Sequence, residues 1–340
     1  VSCANDGTEW EDGIAAAHRK LKTARRARFR LLKSAAGLLA AMLLLGVVLS
    51  QFGLGRASGA TTLIQDSFAN PTSDSPVTLA SNSNSNGLPC LTAASPTGSS
   101  TIPNCNLNPA DPNGALRLTD AGFSEASNVI YSSSFPTADG LNITFDTHMY
   151  AGSPLGSLYA DGISFDLAAA PPNPVAVGQS GGALGYSTDG TAPGMPGGYL
   201  GVGLDEYGNY STTTYEGADC HSSDPSWAGF SSNEVTVHGP GNGTTGYCLL
   251  SSSLQDSPNP MGSIPLHGSD FTSSDITVSI VIDTTSVPAH PTYSVTLTPF
   301  GGSSTPIIVN QPLPAFYYDP ATGHQVSGIP PQLTFAVAAS

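Results

Sequence analysis

Three short strings near the middle of the chain carry the residues best suited to chemistry. They are Ala160-Asp161-Gly162-Ile163-Ser164-Phe165, Gly181-Gly182-Ala183-Leu184-Gly185-Tyr186 and Gly201-Val202-Gly203-Leu204-Asp205-Glu206-Tyr207-Gly208-Asn209. In the third, strand alternation sends Leu200, Val202 and Leu204 to one side and Gly201, Gly203, Asp205 and Tyr207 to the other. Asp205 and Asn209 bracket a turn at Gly208, so a carboxylate, the Tyr207 carbonyl and an amide oxygen can converge on one cation. An all-oxygen ligand set suits calcium. Read singly, each string also has a plainer meaning. The third is a strand closed by an Asp/Asn-capped turn, Asp161 is an acid at a strand start, and Gly181-Gly182 is a β-turn.

The elements that must hold these strings read as strands. Leu141, Ile143, Phe145, Thr147 and Met149 share one face, with Asn142, Thr144 and Asp146 on the other. Ile276, Val278, Ile280 and Ile282 repeat the pattern, as do Tyr293, Val295 and Leu297, and from Ala115 onward Leu116 and Leu118 alternate with Arg117 and Thr119. Ile307-Ile308-Val309 and Leu333–Val337 are further strand candidates. Period-two runs punctuated by Gly, Pro, Asn and Ser predict an all-β fold, an antiparallel β-sandwich, over 115–340. Residues 61–114 are rich in Ser, Asn and Pro. They read either as a flexible arm or as a long loop with a first edge strand at Asp66-Ser67-Phe68.

Charge narrows the partners. Nine of the ten Lys and Arg residues precede position 61, so residues 61–340 hold Arg117 against 21 carboxylates, a formal charge of −20. Such a chain lacks the cations that replace phosphate counterions, which excludes nucleic acid as a partner. Residues 1–33 read as a leader ending in a basic run. Residues 34–60 read as the apolar core and small-residue cleavage region of a signal peptide, with a membrane anchor as the alternative. Either way the remainder is exported, secreted or held at a cell surface. Cys90, Cys105, Cys220 and Cys248 fit disulfides in that setting. Of the three possible connectivities, nearest-neighbour pairing is the expectation.

In this order and spacing the three strings resemble the L-type (legume-like) lectin domain in its bacterial surface-protein version, over most of 115–340. The resemblance implies a concanavalin A-like jelly roll and calcium-dependent glycan binding. It implies sugar hydrogen bonds at Asp161, Gly182 and Asn209, a cis peptide before Asp161, and Tyr207 as the aromatic platform with Tyr210 as a second candidate. Calcium ligands would be Asp205, the Tyr207 carbonyl and Asn209. Gly203 stands where plant members carry a Glu that holds a transition metal, so a single calcium ion and no second metal are expected. The remaining acidic ligand has no residue at the family spacing. Glu216 is favoured over Asp219 and Asp224. In the family a further core strand follows the segment resembling Leu333–Ser340, which suggests a chain cut short, with further domains beyond it.

The resulting expectation is a non-enzymatic, adhesin-like carbohydrate-binding module that takes glycans as partners. A glycoside hydrolase on the same fold would need paired carboxylates about 5–5.5 Å apart for the retaining route. Gly203 and Tyr207 occupy the strand positions that would supply the pair around Asp205, and Glu206 points away. The third reading is a degenerate sandwich serving as a stalk or a protein-interaction domain.

Overall fold

The computed structural model describes residues 61–340 apart from 74, 83–87, 94–99, 108, 121, 153, 171–175, 221–224 and 255–263. The expected leader, basic run and apolar stretch lie outside the described residues, as does Asp224. Ile64–Ser340 form one compact unit.

Two sheets stack face to face. The smaller has the order His267–Gly268, Leu141–Tyr150, Asp275–Asp283, Thr292–Pro299, Thr305–Pro312. The larger runs Val77–Ser81, Ser127–Tyr131, Gln332–Ala339, Gly162–Ala169, Gly198–Asp205, and Glu234–His238 joins it beside Gly198–Asp205 with Leu249–Ser252 next. The long ladders are antiparallel, and the short pairing of His267–Gly268 with Leu141–Tyr150 is parallel. The core forms where the alternation places it. Ile276, Val278, Ile280, Ile282, Tyr293, Val295 and Leu297 meet Phe165, Leu167, Leu200, Val202, Leu204, Val235 and Val237. Full burial of each such side chain stabilises the fold by about 1.5–3 kcal/mol, which ties both sheets into one cooperative unit.

One expectation is revised. The Ser/Asn/Pro-rich stretch contributes to the sandwich upstream of residue 115. Its edge strand is Val77–Ser81, paired with Ser127–Tyr131, not Asp66–Phe68. Val77, Leu91 and Ile102 bury against Val129, and the Cys90–Cys105 disulfide closes the loop that carries Leu91 and Ile102. Gln332–Ala339 lies inside the larger sheet with a strand on each side, Ser127–Tyr131 and Gly162–Ala169. The second disulfide is Cys220–Cys248, so both nearest-neighbour pairs form.

The strand Gly198–Asp205 is buried on both faces. Its second face lies under a roof of loops that contributes Leu184, Tyr186, Met195, Tyr210 and Tyr247. The glycines of this strand make room for that roof. A Cβ on Gly201 would lie 2.4 Å from the Tyr186 ring, and one on Gly203 2.4 Å from the Tyr210 ring. Tyr210 is fully buried over Gly203 and stacks on His238 at 4.0 Å between ring centroids. It cannot serve as an exposed platform for a ligand, which corrects that expectation.

Candidate functional site

The loops that follow the strand ends bring the first and third strings together. The peptide bond before Asp161 is cis. The Asp161 carbonyl accepts the N–H groups of Glu206 at 2.9 Å and Tyr207 at 3.1 Å, which seats the Asp161 loop on the end of the Asp205 strand. The Asp161 carboxylate takes a hydrogen bond from the Asn209 side chain. A carboxylate can only accept, so the Asn209 Nδ2 donates, and Asn209 Oδ1 is left buried with no hydrogen-bond partner. Burial raises the Asp161 pKa, and the Asn209 bond opposes the rise.

Gly182 brings in the second string. It sits in a single 3₁₀ turn, Gly181–Ala183, so close to Asn209 that a Cβ would stand 2.3 Å from Oδ1 and 2.5 Å from the Tyr215 ring. The Gly182 N–H faces the Tyr215 hydroxyl, and the Asp161 charge raises that hydroxyl's pKa beyond the effect of its burial. Tyr215 thus joins the cluster, although no spacing rule in the sequence marks it. Ser340 ties the two loops from behind. Its carbonyl accepts from Asp161 N at 3.0 Å and Gly162 N at 3.1 Å, while its Oγ accepts from Gly181 N at 2.5 Å.

Asp205 lies fully buried at the end of its strand. Its Oδ1 accepts from Gly208 N at 2.7 Å and its Oδ2 from Tyr210 N at 2.6 Å, so the carboxylate also shapes the turn that carries Asn209. Burial pushes its pKa up to about 8 against these two bonds, and the charges of Glu234 and Asp161 add to the rise. Glu234 is the residue directly opposite Asp205 in the ladder. Side chains so paired share a face, with Cβ atoms about 5 Å apart. Only the pairing of two distant strands brings Glu234 there, and no residue spacing marks it.

Glu216 goes elsewhere. Its Oε1 accepts from Leu249 N at 2.6 Å, and its carboxylate lies within 4.8 Å of the Cys220 and Cys248 sulfurs. Leu249 pairs with His238, which pairs with Gly201, four residues back along the strand from Asp205. That offset is about 13 Å, so Glu216 and Asp205 are not brought together. Asp219 is exposed. Glu206 is buried, and its Oε1 lies 2.6 Å from His267 Nδ1, with Tyr159 stacked on that imidazole at 3.6 Å. Burial, with the Asp161 charge adding, raises the Glu206 pKa to about 7.

These groups fit a hard cation by donor type. The Asp205 carboxylate, the Tyr207 carbonyl and the partnerless Asn209 Oδ1 are all oxygens. The neighbouring carboxylates have no Lys or Arg to offset them, since Arg117, the only one among the described residues, pairs with Cys90 in a separate two-stranded ladder. A divalent cation would replace the protons that burial otherwise forces onto these acids.

No family model matches the chain, and no curated protein matches it. Among solved structures it is similar to peanut lectin crystallised with a 9-mer peptide, at 17% identity and a TM-score of 0.43, covering 80% of this chain and 87% of that one. A lectin from Bauhinia forficata in complex with GalNAc follows at 13% identity and a TM-score of 0.38, covering 80% and 89%. The exoplasmic/lumenal domain of VIP36 in its Ca2+/Man-bound form aligns at 12% identity and a TM-score of 0.34, covering 66% and 70%.

Proposed function

We propose that the chain is a calcium-dependent carbohydrate-binding module without catalytic activity. One observation carries the reading: Asp161, Gly182 and Asn209 converge, and their convergence leaves a buried amide oxygen without a partner beside a buried Asp205. Asp205, Asn209 and the Tyr207 carbonyl would hold the ion, with Glu234 as the adjacent acid. The ion would fix the turn and the Asn209 amide. The Asp161 carboxylate would then accept from sugar hydroxyls while Asn209 donates, and half-buried Tyr207 would take the sugar's apolar face. Gly203 has no ligand to offer and lies under Tyr210, which supports a single metal. Export to a bacterial surface and an adhesin-like role belong to the same proposal, supported by the N-terminal sequence pattern and the disulfides. A single site of this kind binds weakly, and avidity would come from multivalent display.

The stalk reading draws on one observation: Gly208 N and Tyr210 N already satisfy both Asp205 oxygens, a structural task that needs no metal. Calorimetric titration of calcium into chelator-stripped protein, followed by a glycan array with and without calcium, separates the two. Calcium uptake with calcium-dependent glycan retention is expected. Neither calcium uptake nor glycan retention would leave the stalk.

A further inference from the structure

Phe230 is a large aromatic ring that the fold holds in the open beside this site. It is 55% exposed, yet its backbone is clamped on both sides. Gly229 N donates to Ser211 O at 3.0 Å, Ser211 Oγ donates to Gly229 O at 2.6 Å, and Ser231 N donates to Gly208 O at 2.8 Å. The contact at Gly208 leaves no slack, since a Cβ there would lie 2.4 Å from the Ser231 carbonyl carbon. The clamp fastens the Phe230 loop to the same Gly208–Ser211 turn that carries Asn209. The Phe230 ring meets the Tyr207 ring at 5.2 Å between centroids and an interplanar angle of 86°.

Exposing a phenyl ring costs free energy in water, and a flexible loop would fold it away. Here the loop is pinned so that the ring cannot collapse inward. The two perpendicular rings form a corner, with Tyr207 as its floor and Phe230 as its wall. The hydrogens on the apolar face of a pyranose suit the negative face of an aromatic ring, and both surfaces leave water on contact. A ring fixed before binding pays little ordering entropy when it is covered.

We infer that Phe230 forms a second subsite, which receives the pyranose next to the one held by Asp161 and Asn209, so that the module selects oligosaccharides over monosaccharides. The inference rests on the proposed sugar site. Its chemistry is apolar stacking and needs no further metal or charge.

The test uses the intact chain with calcium, titrated with four matched pairs: galactose and lactose, glucose and cellobiose, mannose and mannobiose, N-acetylglucosamine and chitobiose. At least one disaccharide is expected to bind about tenfold tighter than its monosaccharide. Phe230→Ala should erase that advantage and leave monosaccharide affinity within about twofold, while Phe230→Trp should retain it. The thermal midpoint of Phe230→Ala should match the parent, because an exposed ring contributes little to the core. Asp161→Asn should lose both classes of sugar. Equal disaccharide preference in the parent and Phe230→Ala, or no preference in the parent, overturns the subsite and leaves the sugar site standing. No binding of any pair by the parent overturns both.

Discussion

A β-carbon placed on Gly182 would stand 2.3 Å from Asn209 Oδ1, so the second and third sequence strings touch at the atom that has no hydrogen-bond partner. Gly182→Ala should therefore displace the Asn209 amide. Glycan retention on an array should fall at least about tenfold, with a stability loss of about 1–3 kcal/mol from overpacking. Denaturant unfolding alongside the array checks it. Undiminished glycan retention would separate Gly182 from the site.

The buried acids give the calcium-free chain a pH dependence of defined sign. Asp205, raised to about 8, and Glu206, raised to about 7, keep protons in the folded state that the unfolded chain releases near their ordinary values. The folded state binds more protons, so stability falls as pH rises. Buried His238, lowered to about 4, works in the opposite direction below its ordinary 6.5. Between pH 6.5 and 8 the carboxylates dominate, and chelator-treated protein should lose about 2 kcal/mol across that window. Calcium should flatten the slope, as thermal melts in a pH series would show. A slope unaffected by calcium would argue against Asp205 as a ligand.

Asp166 is buried away from the candidate site. Its pKa is raised well above the usual carboxylate value by desolvation, against one hydrogen bond from Ser164 Oγ at 3.1 Å. Asp166→Asn keeps the shape and removes the ionisable group. The variant should match the parent near pH 4 and exceed it increasingly as pH rises toward 8, as measured by urea unfolding.

The Cys220–Cys248 bridge spans 28 residues and lies next to the Glu216 carboxylate. Replacing both cysteines by serine should cost about 3 kcal/mol through the loop entropy regained by the unfolded chain. If the bridge only secures the roof of the larger sheet, calcium uptake at room temperature should persist. Calorimetry on the double variant decides this.

The strands were legible because burial on one face writes itself into alternate residues, as at Ile276–Ile282. Asp205 and Asn209 were legible because the turn between them is local. Glu234 was not, since only ladder register places it opposite Asp205. Glu216 was misplaced for the same reason: proximity in sequence said nothing of the backbone N–H of Leu249 that claims it. Phe230 and Tyr215 sit in segments whose course is set by backbone–backbone bonds, and those bonds leave no mark on residue type. The edge strand Val77–Ser81 was hidden by the Ser- and Asn-rich composition around it.

Ser340 holds Asp161, Gly162 and Gly181 through its own carbonyl and hydroxyl. A pull exerted at this residue is delivered straight to the two loops proposed to grip the sugar. The same pull enters the central strand Gln332–Ala339, to which Ser340 is joined. Attachment to a bead or sensor through position 340 therefore loads the grip together with the centre of the larger sheet, whereas attachment through Thr292–Pro299 pulls on the opposite sheet.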